Sequence, residues 1–359
     1  MKFVHIADMH FDTPFTVLEE KAGLGEKRRL EQREILKKAI EYIKENHIPF
    51  FLLSGDLYEN EYVRQSTIEY INKLFLEIPD TKIFISPGNH DPYLRNSYYT
   101  SYTWAPNVHI FSSLEKIELE QINIYGFGFT DFYCTNCNIK NVKLDDPEKL
   151  NILVIHGNVD NKSAQEKPYN DLSSTDLSNI GFDYIALGHI HKANKIKENI
   201  IYPGSPISFG FDELGKHGMV VGEIKKGNIN TEYIVLDDRE FIERQVDVTS
   251  LYSKEEIIEN INGLYLEENN FYKMILIGKR NFEINPTEIL KLINQKNVIK
   301  IKDDTKIKYA LEKIKEEDNL KGIFVKQMLL KLQQEQNQEE KEIIEKAIEI
   351  GLDLLNEEK

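Results

Sequence analysis

Short, almost uniformly apolar runs recur along the chain, and each breaks abruptly into polar residues: FVHIA from Phe3, FFLLSGD from Phe50, KIFISPGNHD from Lys82, NILVIHGN from Asn151 and YIALGHIH from Tyr184. Runs of strand length without polar alternation predict strands covered on both faces, by helices or by a second sheet. From Glu26 to Asn46 the pattern changes to helical spacing, with Ile35, Leu36, Ala39, Ile40 and Ile43 on one face. The resulting β-α-β opening predicts an α/β layered core. NIIYPGS, GMVVGEI and NTEYIVL, all between Asn199 and Leu236, read as shorter antiparallel strands that close one side of it. Beyond Asp237 the order is strand, helix, strand, helix, strand, and from Thr305 the chain is helix-rich. The expected organisation is therefore a main domain over residues 1–236, a small α+β domain over 237–304 and a helical segment over 305–359. In that last segment Ile323, Phe324, Met328, Leu329 and Leu332 recur at helical spacing, as do Ile343, Ile344, Ala347, Ile348 and Leu352. Such faces either pack on the body of the protein or dock onto a partner.

At 359 residues and 41% hydrophobic content the chain can build a real core. Its N-terminus reaches Asp8 and His10 before any signal-like apolar run develops. No later segment holds the roughly eighteen uncharged apolar residues a membrane helix needs. The expectation is a cytoplasmic protein without a membrane span. The net charge of -15 argues against a nucleic-acid partner, whose affinity rests on Lys and Arg neutralising phosphate. That sum still leaves room for a local basic surface, and bound metal ions would supply positive charge where phosphate sits. Cys134 and Cys137 form one C-x-x-C without the second pair of a zinc site or the helix of a redox site, and read as two free thiols in a loop.

The polar residues at the ends of the apolar runs are Asp8-x-His10, Gly55-Asp56, Gly88-Asn89-His90-Asp91, His156-Gly157 and Gly188-His189-x-His191. Open α/β sheets bind ligands beyond the carboxyl ends of their strands, so these five loops are expected to meet in one crevice. Carboxylate, imidazole and amide oxygen together suit manganese, iron or zinc better than calcium. Seven ligands exceed the needs of one open ion, whereas two ions about 3.5 to 4 Å apart that share a carboxylate use them all. His5, His47, His109 and His217 lack such a setting and read as ordinary core or surface histidines.

The set D-x-H, GD, GNHD, H and GHxH, in this order, resembles the calcineurin-like metallophosphoesterases. The resemblance implies a two-layered β sandwich flanked by helices, with a dinuclear site. Carried over residue by residue, it assigns Asp8, His10 and His191 to one ion and Asn89, His156 and His189 to the other, with Asp56 bridging. It makes His90 a catalytic group facing the scissile phosphate, able to protonate the leaving oxygen, while a water activated between the ions attacks phosphorus. Asp91 would hold the loop or orient His90.

ADMHFDTPF from Ala7, GNHDPY leading through SYYTSYTWAPNVHIF, and IIYPGSPISFGFDELGKHGMVVGEI from Ile200 resemble the SbcD and YhaO type of DNA double-strand-break repair nuclease, with the YhaO-like bacterial branch the best match. That likeness implies a nuclease domain, a capping domain and a C-terminal helical segment that binds an SbcC-like coiled-coil ATPase. It also implies a homodimer through the helix near Arg64 to Leu76. One departure stands at Glu59, where archaeal and eukaryotic relatives carry a phosphate-touching His. Lys192 and Lys195, next to His191, are the candidate DNA contacts. EKRRLEQREILKK reads as a solvated helix face, and Tyr98, Tyr99, Tyr102 and Trp104 as a loop packed under its own aromatics. The sequence reading is thus a manganese-dependent DNA exonuclease, with single-strand endonuclease activity as a further capacity. The alternative is a phosphomonoesterase or cyclic-nucleotide phosphodiesterase using the same site. A third reading is a metal-dependent scaffold that recruits the ATPase.

Overall fold

The five apolar runs form strands of two six-stranded sheets stacked face to face. In the first sheet Lys2–Ile6, Phe50–Leu53, Lys82–Ile85 and Val108–Ile110 run parallel, and the antiparallel pair Gly218–Lys225 and Asn228–Val235 extends it beyond Lys2–Ile6. In the second, Ile122–Phe127, Leu150–His156, Tyr184–Gly188 and Ile200–Tyr202 run parallel between the antiparallel edge strands Glu115–Glu118 and Asn194–Lys197. This computed structural model describes residues 1–18, 23–135, 137–160 and 169–357. It is the expected two-layered α/β sandwich, with the helical C-terminal segment also present.

Alternation within each apolar run divides its residues between two cores. Phe3, Phe50, Leu52, Phe84 and Phe111 meet Ile124, Ile152, Val154, Tyr184 and Ala186 between the sheets, where the rings of Phe3 and Tyr184 lie 4.4 Å apart. The intervening residues are buried on the outer faces. Phe51 packs edge-on against Phe75 of the helix Gln65–Leu76, and Leu153, Ile155, Ile185 and Leu187 share a cluster with Leu177 of the helix Ser174–Ile180. The long helix Leu24–Glu45 buries the expected face, Ile35, Leu36, Ala39, Ile40 and Ile43. It also buries Arg28, whose guanidinium donates to both carboxylate oxygens of Asp237 and to the Ser208 carbonyl. The basic run is therefore only partly a solvated face, because Arg28 is neutralised inside the fold.

His5 is a polar residue between the sheets, with its two ring nitrogens 2.9 Å from the Tyr184 hydroxyl and 2.6 Å from Ser54 Oγ. Burial pushes its imidazole down from 6.5 to about 3. A depressed imidazole makes the unfolded chain the better proton acceptor between those values. The contribution of His5 is complete above pH 6.5 and is lost as pH falls toward 3, at up to about 1.4 kcal/mol per pH unit. Urea unfolding of chelator-treated protein across this window is expected to show a shallower pH dependence for His5→Gln than for wild type; equal slopes would contradict the assignment.

The chain divides into two compact units. The first comprises Met1–Ile242 with Leu266–Tyr272, and the second Glu243–Tyr265 with the chain from Lys273 onward. Most of a three-stranded sheet, ordered Phe241–Asp247, Phe271–Ile277 and Val298–Asp303, belongs to the second unit. Three of its helices start where a side-chain oxygen accepts otherwise free amides: Ser253, Asn285 and Asn319. Its last helices, Leu320–Gln334 and Gln338–Glu357, pack through Val325, Ile348 and Leu352. They leave Leu320, Ile323, Leu330, Ile343, Ile350 and Leu354 exposed.

Candidate metal centre

Register brings the site together. Ile6 pairs with Leu53 and Leu53 with Ile85, so the loops carrying Asp8, Asp56 and Asn89 leave one sheet at the same level. His156 pairs with Gly188 in the other sheet, which sets His156 beside His189. The loops turn sharply: Asp8, His10, Asp56 and His189 all have positive φ, at 54, 46, 52 and 110°. Asp and His are among the few side chains that visit this region with any frequency. The glycines before Asp56 and Asn89 are required by contact. A Cβ on Gly55 would lie 2.3 Å from His156 Nδ1, and one on Gly88 would lie 2.3 Å from Asp56 Oδ1.

All seven residues that the sequence singles out as ligands converge. Ligand atoms of Asp8, His10 and His191 lie within 4.8 Å of one another, as do those of Asp8, Asp56 and His156. Asn89 Oδ1 is 3.0 Å from His156 Nε2 and 3.2 Å from His189 Nδ1. Asp56 Oδ2 lies between the two groups, 3.6 Å from His10 Nε2 and 3.3 Å from His156 Nε2. His90 forms a third group with His10 and Asp56, but its side chain is 45% exposed and its Nδ1 is 2.9 Å from Glu59 Oε2.

The hydrogen bonds on the outer side of the imidazoles decide what their inner nitrogens can do. His156 Nδ1 is 2.9 Å from the Ser54 carbonyl, which only accepts, so Nδ1 carries hydrogen and the neutral ring directs an Nε2 lone pair inward. His10 Nδ1 is 2.7 Å from Glu59 Oε1, and His191 Nδ1 bonds Glu213. Both rings therefore turn Nε2 inward, and these two nitrogens face each other at 3.1 Å. Two lone pairs at that distance require a proton or a cation between them. Burial opposes the charge, yet Asp56 and Asp8 push His156 up to about 9, and the Glu213 hydrogen bond with Asp8 pushes His191 equally far. Burial likewise opposes ionisation of Asp56, but the neighbouring imidazoles of His156, His10 and His90 hold its carboxyl well below the usual range. His189 goes the other way, down to about 3 through burial and the neighbouring His156 charge. A buried pocket of inward lone pairs and carboxylates that collects positive charge fits divalent cations.

Residues 1–193 match the calcineurin-like phosphoesterases, as the cluster of donors at the strand ends leads one to expect. The chain belongs to this family. As a metallophosphoesterase it is a hydrolase, and its fold implies divalent metal ions. It is similar to the uncharacterized metallophosphoesterase YhaO of Bacillus subtilis, at 26% identity over 292 residues, covering 76% of this chain and 68% of that protein. It is also similar to the SbcD component of the nuclease SbcCD of Staphylococcus epidermidis, at 27% identity over 271 residues, 66% of this chain and 69% of that protein.

Around this phosphoesterase's site, Asp91 accepts the amides of Gly88, Asp56 and Leu57 and the hydroxyl of Tyr99, a set that holds the loop. Tyr99 and Trp104 pack together below it, in keeping with an aromatic loop stacked on itself. Lys192 is exposed, and Lys195 pairs with Glu198 at 2.5 Å on the edge strand. His5 and His217 are buried and hydrogen-bonded, His109 sits 3.8 Å from Glu115 and His47 lies in the turn after the helix Leu24–Glu45 at φ 50°; none joins the ligand groups found among the described residues. Cys134 and Cys137 form no disulfide, and burial pushes the Cys137 thiol up to about 11. Glu213 carries no signal in the sequence beyond its place in the loop after GHxH. Among the described residues no helix is long and apolar enough to cross a membrane.

Proposed function

We propose that this phosphoesterase is a manganese-dependent DNA nuclease working with an SbcC-like ATPase. The observation that carries the reading is the approach of two ligand groups to Asp56, 3.6 Å from His10 and 3.3 Å from His156, beneath one exposed imidazole, His90, a layout suited to an extended phosphodiester. The similarity to a component of the nuclease SbcCD supports DNA as substrate and SbcC as partner. When bound, two divalent cations supply Lewis acidity toward the phosphate oxygens and activate the nucleophile.

In this reading Asp8, His10 and His191 hold one ion, Asn89, His156 and His189 the other, and Asp56 serves both. His90 keeps its Nδ1 on Glu59 and presents its other nitrogen outward to the leaving oxygen. Asp91 fixes the loop that carries His90, and Lys192 contacts the DNA backbone more readily than the ion-paired Lys195. Residues 1–236 form the nuclease domain, 237–304 the cap, and 305–359 the ATPase-binding segment, whose exposed Ile323, Leu330, Ile343 and Leu354 supply its apolar face. Pairing of two copies through the helix Gln65–Leu76, which exposes Leu76, completes a cytoplasmic repair complex.

The net charge of -15 favours a second reading, in which the same site hydrolyses phosphomonoesters or cyclic nucleotides. Digestion of end-labelled duplex and single-stranded DNA with manganese, with and without the ATPase, is expected to release nucleotides faster than the protein turns over monoesters or cyclic nucleotides. Intact DNA beside rapid small-ester turnover would overturn the nuclease reading and leave the hydrolase.

A further inference from the structure

The two ligand groups differ in what stands behind them. In the first, His10 and His191 each rest their outer nitrogen on a carboxylate, Glu59 for His10 and Glu213 for His191. Both glutamates are themselves held. The second oxygen of Glu213 accepts the Phe209 amide at 3.1 Å and Ser205 Oγ at 3.3 Å, while its carbonyl accepts from Ser208 Oγ at 3.0 Å. The Glu59 amide donates to the Phe11 carbonyl at 3.0 Å and its carbonyl accepts the Val63 amide at 2.8 Å. Phe209 stands edge-on to the His10 ring, with centroids 5.5 Å apart, and 5.6 Å from that of His191, keeping both hydrogen-bonded rings under an apolar cover.

Behind the second group the described residues place no such support. His156 leans on the neutral Ser54 carbonyl, and Asn89 contributes an uncharged amide oxygen. The carboxylates near its ring nitrogens are Asp56 and Asp8, both of which the first group also approaches. Asp8 lies within reach of both groups, so what sets the first apart is its two glutamates, each one imidazole away. A carboxylate on the far nitrogen makes an imidazole a stronger donor and fixes its direction. Extra negative charge a few ångströms from a cation deepens its well in a low-dielectric pocket.

Building on the metal-binding reading above, we infer that the two ion positions are unequal by construction. The position at Asp8, His10 and His191 is the high-affinity one, and Glu59 and Glu213 are positioning residues that make it so. The ions therefore enter in order, the Asn89, His156 and His189 position filling second.

Manganese titration of the full-length, chelator-stripped protein tests this by calorimetry and by the paramagnetic resonance of free and bound ion. Wild type is expected to take up one ion tightly and a second more weakly. His189→Ala should abolish the weak event alone. Glu59→Gln and Glu213→Gln, similar in size to the wild-type side chains, should each weaken the tight event by about 10- to 100-fold and leave the weak one unchanged. Glu213→Asp, which keeps the charge, should recover part of the loss. Two equal ions in wild type, loss of the tight event in His189→Ala, or parallel weakening of both events in the glutamine variants would each overturn the inference while leaving metal binding intact. Failure of wild type to bind any ion would overturn the metal-binding reading as well.

Discussion

Asp56→Asn is expected to lower phosphodiester turnover by roughly a thousandfold, several kcal/mol of lost charge stabilisation. The side chain changes little in size, so the loss reports charge. Asp56 is 1% exposed, lies within 3.6 Å of ring nitrogens from both ligand groups, and accepts the His90 amide at 2.8 Å. An amide keeps one acceptor oxygen for that bond but removes the negative charge the two groups share. Metal titration should show fewer ions bound, and turnover should not return at saturating manganese. A variant with near wild-type turnover on DNA and on small phosphodiesters would mean that Asp56 is not between the ions.

His90→Asn is expected to behave differently. Loss of a general acid typically costs 10²- to 10⁴-fold, and here the cost should depend on the leaving group. A nitrophenolate leaves without help, so its ester should lose little, whereas a deoxyribose alkoxide needs the proton and DNA turnover should fall by about a hundredfold or more. The number of bound ions should stay at the wild-type value, because His90 has an outward-facing ring and is tied through Nδ1 to Glu59. That count matters, since His10, Asp56 and His90 also come close enough to form a ligand group of their own. One ion fewer in His90→Asn would make His90 a ligand; an equal loss on both substrates would exclude the proton-donor role.

Most of the scaffold was legible because its central strands are buried on both faces and so lack polar interruptions. Glu115–Glu118 and Ile122–Phe127 escaped notice for the opposite reason: the first is a charged edge strand, EKIE, and the second, INIYGF, mixes polar and apolar positions. Asn194–Lys197, NKIK, likewise carries no strand signal, because an exposed edge strand needs few apolar residues. At the site, the ligand candidates announced themselves by standing where an apolar run stops. What supports them did not. Glu213 lies 22 residues from His191, and Arg28 finds Asp237 across 209 residues. Such pairings depend on tertiary contact and leave no local pattern. Glu59 was visible as a departure from relatives, but its two histidine partners were not.

The positive φ angles at Asp8, His10, Asp56 and His189 carry a consequence for the timing of metal exchange. Residues outside glycine held in that region cost of order 1–3 kcal/mol each, an expense met once, when the sheets assemble. The loops then already have their working bends, and an arriving ion has no backbone to order. Capture and release can proceed at the speed of ligand substitution, without waiting for the chain to fold around its cargo.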